Sequence, residues 1–223
     1  YVWGNQLSTM DLSTLTVLEG FSAGNNKLTT LTLGSTKLQT ISISGNMLKS
    51  FSLKVVTELV ELNISSNRLT SLTLSGLPNL ETLTVSNNLL SSLTLVTFPK
   101  LNELNIENNR ISSLTLTGVA KLASLYADNN LLTTLPLTEL TGLTAMSVGF
   151  NRLTSLTAAS LPSLASIAVV GNAITTISLS SLPALRTLEI QSNRIVALTI
   201  SDLPSLETVN AGSNLLSTLT AAT

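Results

Sequence analysis

Apolar residues return along this chain with a fixed beat. Around Asn88 the order is Leu80-x-x-Leu83-x-Val85-x-x-Asn88-x-Leu90-x-x-Leu93-x-Leu95-x-x-Phe98-Pro99-x-Leu101; Leu101 then opens the next unit with Leu104, Ile106, Asn109, Ile111, Leu114 and Leu116. The polar marker of the beat is Asn at positions 5, 26, 46, 67, 88, 109, 130, 151, 172, 193 and 214, in steps of 21, 20 and then 21 throughout. The short step reflects one residue missing between Leu33 and Leu38. Self-similarity at such a period is the signature of a stacked repeat, in which each unit buries its apolar face only against its neighbours. Leu83-Thr84-Val85 alternates with period two, so Leu and Val point inward and Thr outward on a strand. Strands of successive units then stack in parallel about 4.7–4.9 Å apart. Ser92-Leu93-Thr94-Leu95 repeats the alternation and predicts a second short strand on the opposite wall. At the turn back runs an apolar column of Leu77, Phe98, Val119, Leu140, Leu161, Leu182 and Leu203, followed by Pro at 78, 99, 162, 183 and 204. Proline fixes φ there and ends any helical tendency. With 21 residues to make two walls and two turns, no length is left for a long helix. The pattern predicts a mainly β solenoid of about eleven coils, with a parallel sheet on one wall and short strands on the other. No linker interrupts residues 1–223, which reads as one domain with half-coils at both ends.

The Asn column has its own physical requirement. Backbone groups in stacked turns need partners, and a buried amide both donates and accepts. A metal-binding ladder would instead need carboxylates in the flanking columns, and most coils have none there.

The pattern L-x-x-L-x-[VIA]-x-x-N-x-[LI], in eleven registered copies over essentially the whole chain, resembles the leucine-rich-repeat family. The 21-residue period with a second L-x-L is similar to the short repeat class of bacterial and protist surface proteins. That resemblance implies an extracellular or cell-surface setting. It also implies that the strand before each Asn lines a concave, ligand-facing wall, whose outward positions match Thr82, Thr84, Ser86 and Asn87. These columns vary most down the stack. Coils four to seven supply Glu61, Asn63, Glu103, Asn105, Glu107, Tyr126 and Asp128, a polar and acidic stretch. Coils seven to nine supply Tyr126, Phe150 and Val170, flanked by the small Ser147, Gly149 and Ala168. Three outward apolar side chains on adjacent coils are expected to form a partner contact; the competing reading is that Phe150 folds over a local gap. Asn63-Ile64-Ser65 is the sole N-x-S/T sequon and lies on this wall.

Other columns carry regularities. Arg68, Arg110, Arg152 and Arg194 recur 42 residues apart, as do Glu61-Leu-Asn63-Ile and Glu103-Leu-Asn105-Ile, which suggests growth by duplication of two coils. The Arg column reads as a solvated edge or an anion site. On the opposite wall, the outward pairs from the second coil onward are Thr30/Thr32, Ser50/Ser52, Ser71/Thr73, Ser92/Thr94, Ser113/Thr115, Thr134/Pro136, Ser155/Thr157, Thr176/Ser178, Ala197/Thr199 and Thr218/Thr220. Eighteen of these twenty positions are Ser or Thr and none is charged, whereas the first coil has Thr9/Asp11. Flat Thr-x-Thr arrays resemble the ice-binding faces of antifreeze proteins. The plain reading is that an outward strand position takes Ser or Thr for propensity, and Pro136 interrupts the row.

Composition narrows the chemistry. Apolar residues make up 43% of the 223 but aromatics only 3%, which suits narrow repetitive layers. Charged residues are 10% and the net charge is −1, so no overall field steers the chain to nucleic acid or anionic lipid. The absence of His and Cys removes Ser-His-Asp and Cys-His triads, Cys or His metal sites and disulfides. The glycines are scattered singly, so no phosphate loop exists. Glu61, Glu103 and Glu107 share a face, but an open wall gives no cleft to tune a glycosidase-like carboxylate pair. No apolar run approaches the roughly 18 residues of a membrane span. The start at Tyr1 reads as that of a processed or excised piece. The expectation is therefore a non-catalytic extracellular recognition or adhesion module without cofactor, binding protein or glycan through its variable wall. Ice binding through the Ser/Thr ladder is the alternative. A filament or surface-layer subunit that self-associates end to end through uncapped coils is a second alternative.

Overall fold

The computed structural model describes residues 1–222; Thr223, the last residue of the expected domain span, lies outside the described residues. The chain is an all-strand stack of coils, with no helix among the described residues. Three-residue strands preceding the Asn, from Gly20–Ser22 in the second coil to Thr208–Asn210 in the eleventh, form one continuous ten-stranded parallel sheet in sequence order. The first coil joins it by backbone hydrogen bonds, Val2 N–H to Ser22 C=O at 2.8 Å and Gly4 N–H to Gly24 C=O at 2.9 Å. Register is in phase with the repeat: Leu62, Leu83, Leu104 and Leu125 pair along one interior column. Most interior Leu, Ile and Val of the central coils, together with the turn column Leu77, Phe98, Val119, Leu140, Leu161 and Leu182, are buried in one elongated core; Leu72, Leu74 and Leu114 pack on it half-buried, and Val209 and Leu219 of the last coil are exposed. Leu203 is the half-buried end of that column.

The Asn ladder fills the turn after each strand. Asn109 accepts the Leu90 N–H at 3.1 Å and donates to the carbonyls of Val85, Ile106 and Glu107 at 3.0, 3.1 and 3.2 Å. One amide thus ties its own turn to the preceding coil. The same set recurs at Asn46, Asn67, Asn88, Asn130, Asn193 and Asn214. Asn5, exposed in the first coil, donates only to Val2 and Trp3 of its own turn.

The opposite wall has the expected short strands but not one sheet. They pair in twos: Thr9–Leu12 with Thr30–Leu33, Ser50–Lys54 with Ser71–Ser75, Ser92–Val96 with Ser113–Thr117, Ser155–Ala159 with Thr176–Ser180, and Ala197–Ser201 with Thr218–Ala222. Each gap between coils keeps the backbone bond beside the Asn, such as Met47 N–H to Leu28 C=O at 2.9 Å. The next one outward, such as Thr70 N–H to Lys49 C=O at 2.9 Å, forms only within a pair. Alternate gaps have therefore opened, as a wall must when it covers a longer arc than the continuous sheet opposite. The coil of Asn130 has no strand on this wall. Pro136 there cannot donate to a ladder and is excluded from interior strands. The pairing consequently slips by one coil, while the 42-residue Arg spacing does not, so the pairing is not inherited from the sequence duplication.

The coil with the missing residue is closed by two substitutions. A Cβ on Gly34 would lie 2.1 Å from the Ser13 carbonyl oxygen, so only glycine fits. Ser35 replaces the apolar turn residue and is buried, its hydroxyl donating to Leu18 C=O at 2.7 Å and accepting from Lys37 N–H at 3.0 Å.

Candidate binding surface on the concave wall

The ten-stranded sheet presents the first and third residue of each strand outward, then the turn residues up to the Asn. Because the strands are hydrogen-bonded without a break, neighbouring outward side chains pack shoulder to shoulder. The wall is accordingly less open than simple alternation predicts. Glu61 is exposed, but Asn63, Glu103, Asn105, Glu107, Tyr126, Asp128 and Val170 are half-buried, and Ser86 is buried at 8% exposure. Of the three apolar residues expected to stand out, only Phe150 does, at 60% exposure.

Several of the polar candidates close turns. Asn63 Oδ1 accepts from the Ser65 N–H at 3.1 Å and the Ser65 hydroxyl at 2.7 Å, which engages both ends of the sequon with each other. Asn105 Oδ1 accepts the Glu107 N–H at 3.1 Å, and its amide donates to Glu107 Oε2 at 3.2 Å. These are side-chain turns of the kind Asn favours. Asp128 reaches to the following coil, where it accepts from the Ser147 hydroxyl at 2.7 Å and the Gly149 N–H at 2.5 Å. The small residue beside it leaves room for this bridge: a Cβ on Gly149 would stand 3.3 Å from Asp128 Oδ1. Within the acidic stretch, the Glu107 and Asp128 carboxylates are thus held by neighbours, while Glu61 stays exposed.

Phe150 occupies an unusual place. The residue before each ladder Asn adopts a left-handed backbone, with φ of 53° at Asn25, 56° at Asn87, 54° at Asn108, 56° at Asn129 and 52° at Phe150. The other coils use Asn, Gly or Ser there, the types that tolerate this conformation. A bulky residue at φ > 0 is an outlier. The Phe150 ring lies against Gly171 of the next coil, where a Cβ would meet ring carbons at 2.8 and 2.9 Å. The ring therefore covers the glycine and still presents most of its surface. The Phe150 N–H donates to the Val170 carbonyl of the ninth coil at 2.7 Å, while Tyr126 of the seventh coil pairs in register with Ser147, three residues before Phe150. Sequence reasoning missed Gln191, whose Oε1 is a buried side-chain atom without a hydrogen-bond partner; it follows Val170 in the same column, and nothing in its local sequence signals this. The two groups with shifted titration lie off this wall. Asp11 is held below the usual carboxylate range by hydrogen bonds from Ser13, and Lys37 is raised by its bond to Glu58.

The Leucine Rich Repeat family pattern matches residues 58–80, one full unit. YopM, a leucine-rich effector protein from Yersinia pestis, superposes with a TM-score of 0.74 at 28% identity, over 92% of this chain and 63% of its own. The chain has the leucine-rich-repeat fold. The leucine-rich-repeat domain of APL1 has a TM-score of 0.77 at 24% identity, covering 93% of this chain and 58% of that one. The functional domain of InlJ from Listeria monocytogenes, which includes a cysteine ladder, gives 0.62 at 20%, covering 95% and 52%; both show the shared fold. This repeat protein thus spans between about half and three-fifths of the length of these structures. No curated protein matches it in sequence. Leucine-rich-repeat proteins typically mediate protein binding, and no helix among the described residues is long and apolar enough to cross a membrane.

Proposed function

We propose that this leucine-rich-repeat protein is a non-catalytic, extracellular recognition module, folded as one unit, that engages a protein or glycan through the concave wall of coils seven to nine. The observation that carries this reading is Phe150. A left-handed bulky residue costs roughly 1–3 kcal/mol, and such strain concentrates at ligand-binding positions. The chain places Gly or Asn at the same turn in seven other coils, at Gly4, Asn25, Gly45, Asn87, Asn108, Asn129 and Gly171, so a less strained solution was available. An exposed aromatic bonded through its backbone to Val170, on the same wall as Tyr126 and next to the Asp128 bridge, has the make-up of a binding hot spot. Phe150→Ser is expected to keep stability within about 0.5 kcal/mol of the parent in urea melts, as surface changes do. The same change should weaken capture of the wild-type protein's partner by about tenfold or more, as loss of a hot-spot aromatic does. Undiminished capture, or a large stability loss, removes the site.

The hydroxyl wall supports a second reading, ice binding. Thr30, Thr32, Ser71, Thr73, Ser92, Thr94, Ser113, Thr115, Ser155, Thr157, Thr176, Ser178, Thr199, Thr218 and Thr220 are all exposed. Thr is stiff at χ1 and offers a methyl beside its hydroxyl. The two-strand blocks divide the ladder into short flat units. Thermal hysteresis by the wild type, abolished by Thr94→Tyr and untouched by Thr84→Tyr, is the expected result under this reading; wild type that leaves ice growth unaltered ends it.

A further inference from the structure

The edge joining the two walls, from each ladder Asn through the fourth residue after it, segregates charge. It holds Lys27, Lys49, Arg68, Arg110, Arg152 and Arg194, six of the chain's 11 Lys and Arg, and none of its 12 Asp and Glu. Backbone pairing shows that Lys27 belongs to the Arg column: its N–H donates to Leu7 C=O as those of Arg68, Arg110, Arg152 and Arg194 donate to Leu48, Leu90, Leu132 and Ile174. Every even-numbered coil from the second to the tenth thus carries a cation at one register position. All five are exposed, and none enters either ion pair found among the described residues, Lys37–Glu58 and Arg186–Glu207. The nearest acids of the adjoining turns, Glu107 and Asp128, are engaged by Asn105 and by Ser147 and Gly149. The odd coils place Met47, Leu89, Leu131, Ala173 and Leu215 at the same position, of which Leu89 and Leu215 are 37% and 64% exposed.

Coils stack at about 4.7–4.9 Å, so cations recur roughly every 9.5 Å with an apolar residue midway, over about 38 Å. That interval is close to the screening length at physiological salt, about 8 Å, so the free protein tolerates the row. We propose that this edge binds an extended acidic polysaccharide in which a uronate alternates with an uncharged sugar. A pyranose in an extended chain advances by about the thickness of one coil. One carboxylate per two sugars then meets one cation per two coils, and the C–H face of the uncharged ring lies over the apolar residue between them. Nucleic acid fits less well. A strand of duplex carries a charge about every 3.4 Å, and single strands are held by rows of stacking aromatics, which this edge lacks.

The test uses immobilised hyaluronan, an alternating uronate polymer, with the full chain at low salt. Wild type is expected to bind, and to release as salt rises. Arg110→Ser with Arg152→Ser, both exposed, is expected to weaken binding about ten-fold, and Lys100→Ser with Lys121→Ser, on the opposite edge, to leave it unchanged. A single-stranded oligonucleotide of similar length is expected to bind more weakly than hyaluronan. The proposal is overturned if wild type does not bind, if the double Arg variant binds as wild type does, if the Lys pair matters equally, or if the oligonucleotide binds as tightly.

Discussion

Replacing Phe98 with Ala is expected to destabilise the protein by about 3–5 kcal/mol, the usual cost of removing a fully buried phenylalanine. Phe98 is 1% exposed and heads the ranking of fully buried side chains by volume. It sits at the turn between the two walls, in a column otherwise filled mainly by Leu, with Leu77 and Val119 as its neighbours up and down the stack. Its backbone is tied on both sides, the N–H donating to Gly118 C=O at 3.1 Å and the carbonyl accepting from Leu101 N–H at 3.1 Å. The turn therefore cannot close over the space left by the ring, and a cavity remains. Phe98→Leu, which restores the residue type of the column, should cost far less, about 1 kcal/mol. In a stacked repeat each coil contacts only its neighbours, so damage at the fifth coil weakens the coupling of the two halves. Urea melts followed by circular dichroism and by limited proteolysis measure both effects. Equal stability of the Ala and Leu variants would show that this turn repacks freely.

The second large effect is expected at the Asn ladder. Asn130→Ala leaves the Ile111 N–H without its 2.9 Å acceptor and removes one of the two donors to each of the carbonyls of Ile106, Ala127 and Asp128, in a turn where Asn130 is 4% exposed. Leaving buried backbone groups unpaired costs about 1–3 kcal/mol. Asn5→Ala is the internal control. Asn5 is exposed and bonds only within its own turn, and a terminal coil frays, so its loss should be a small fraction of that at Asn130. Indistinguishable midpoints for the two variants would contradict the ladder as a source of stability.

How much of this was legible in advance follows from which interactions set each feature. The spacing of Leu, Ile and Asn determined the coil, its register and the inward or outward sense of each strand residue, because period-two alternation and a 21-residue beat admit one stacking. The identity of Asn at this turn in each of the eleven coils likewise determined the ladder, since few side chains donate and accept in so small a space. Phe150 was legible as an outlier by type, but its left-handed backbone and its contact with Gly171 arise from the turn shared by all coils and were not. Tyr126 and Val170 were expected to stand out and are half-buried, because exposure depends on neighbours on the adjoining coils, about one repeat away in the chain, not on residues adjacent in sequence. The same holds for Asn63, Asn105 and Asp128, whose polar groups are consumed by partners the alternation does not specify. The division of the hydroxyl wall into pairs was decided by tertiary structure alone. The concave sheet keeps every interstrand bond, the other wall must then span a longer path, and a single proline at Pro136 sets where the pairing changes phase. Sequence determined what each coil is; only the stack decided how open its surfaces are.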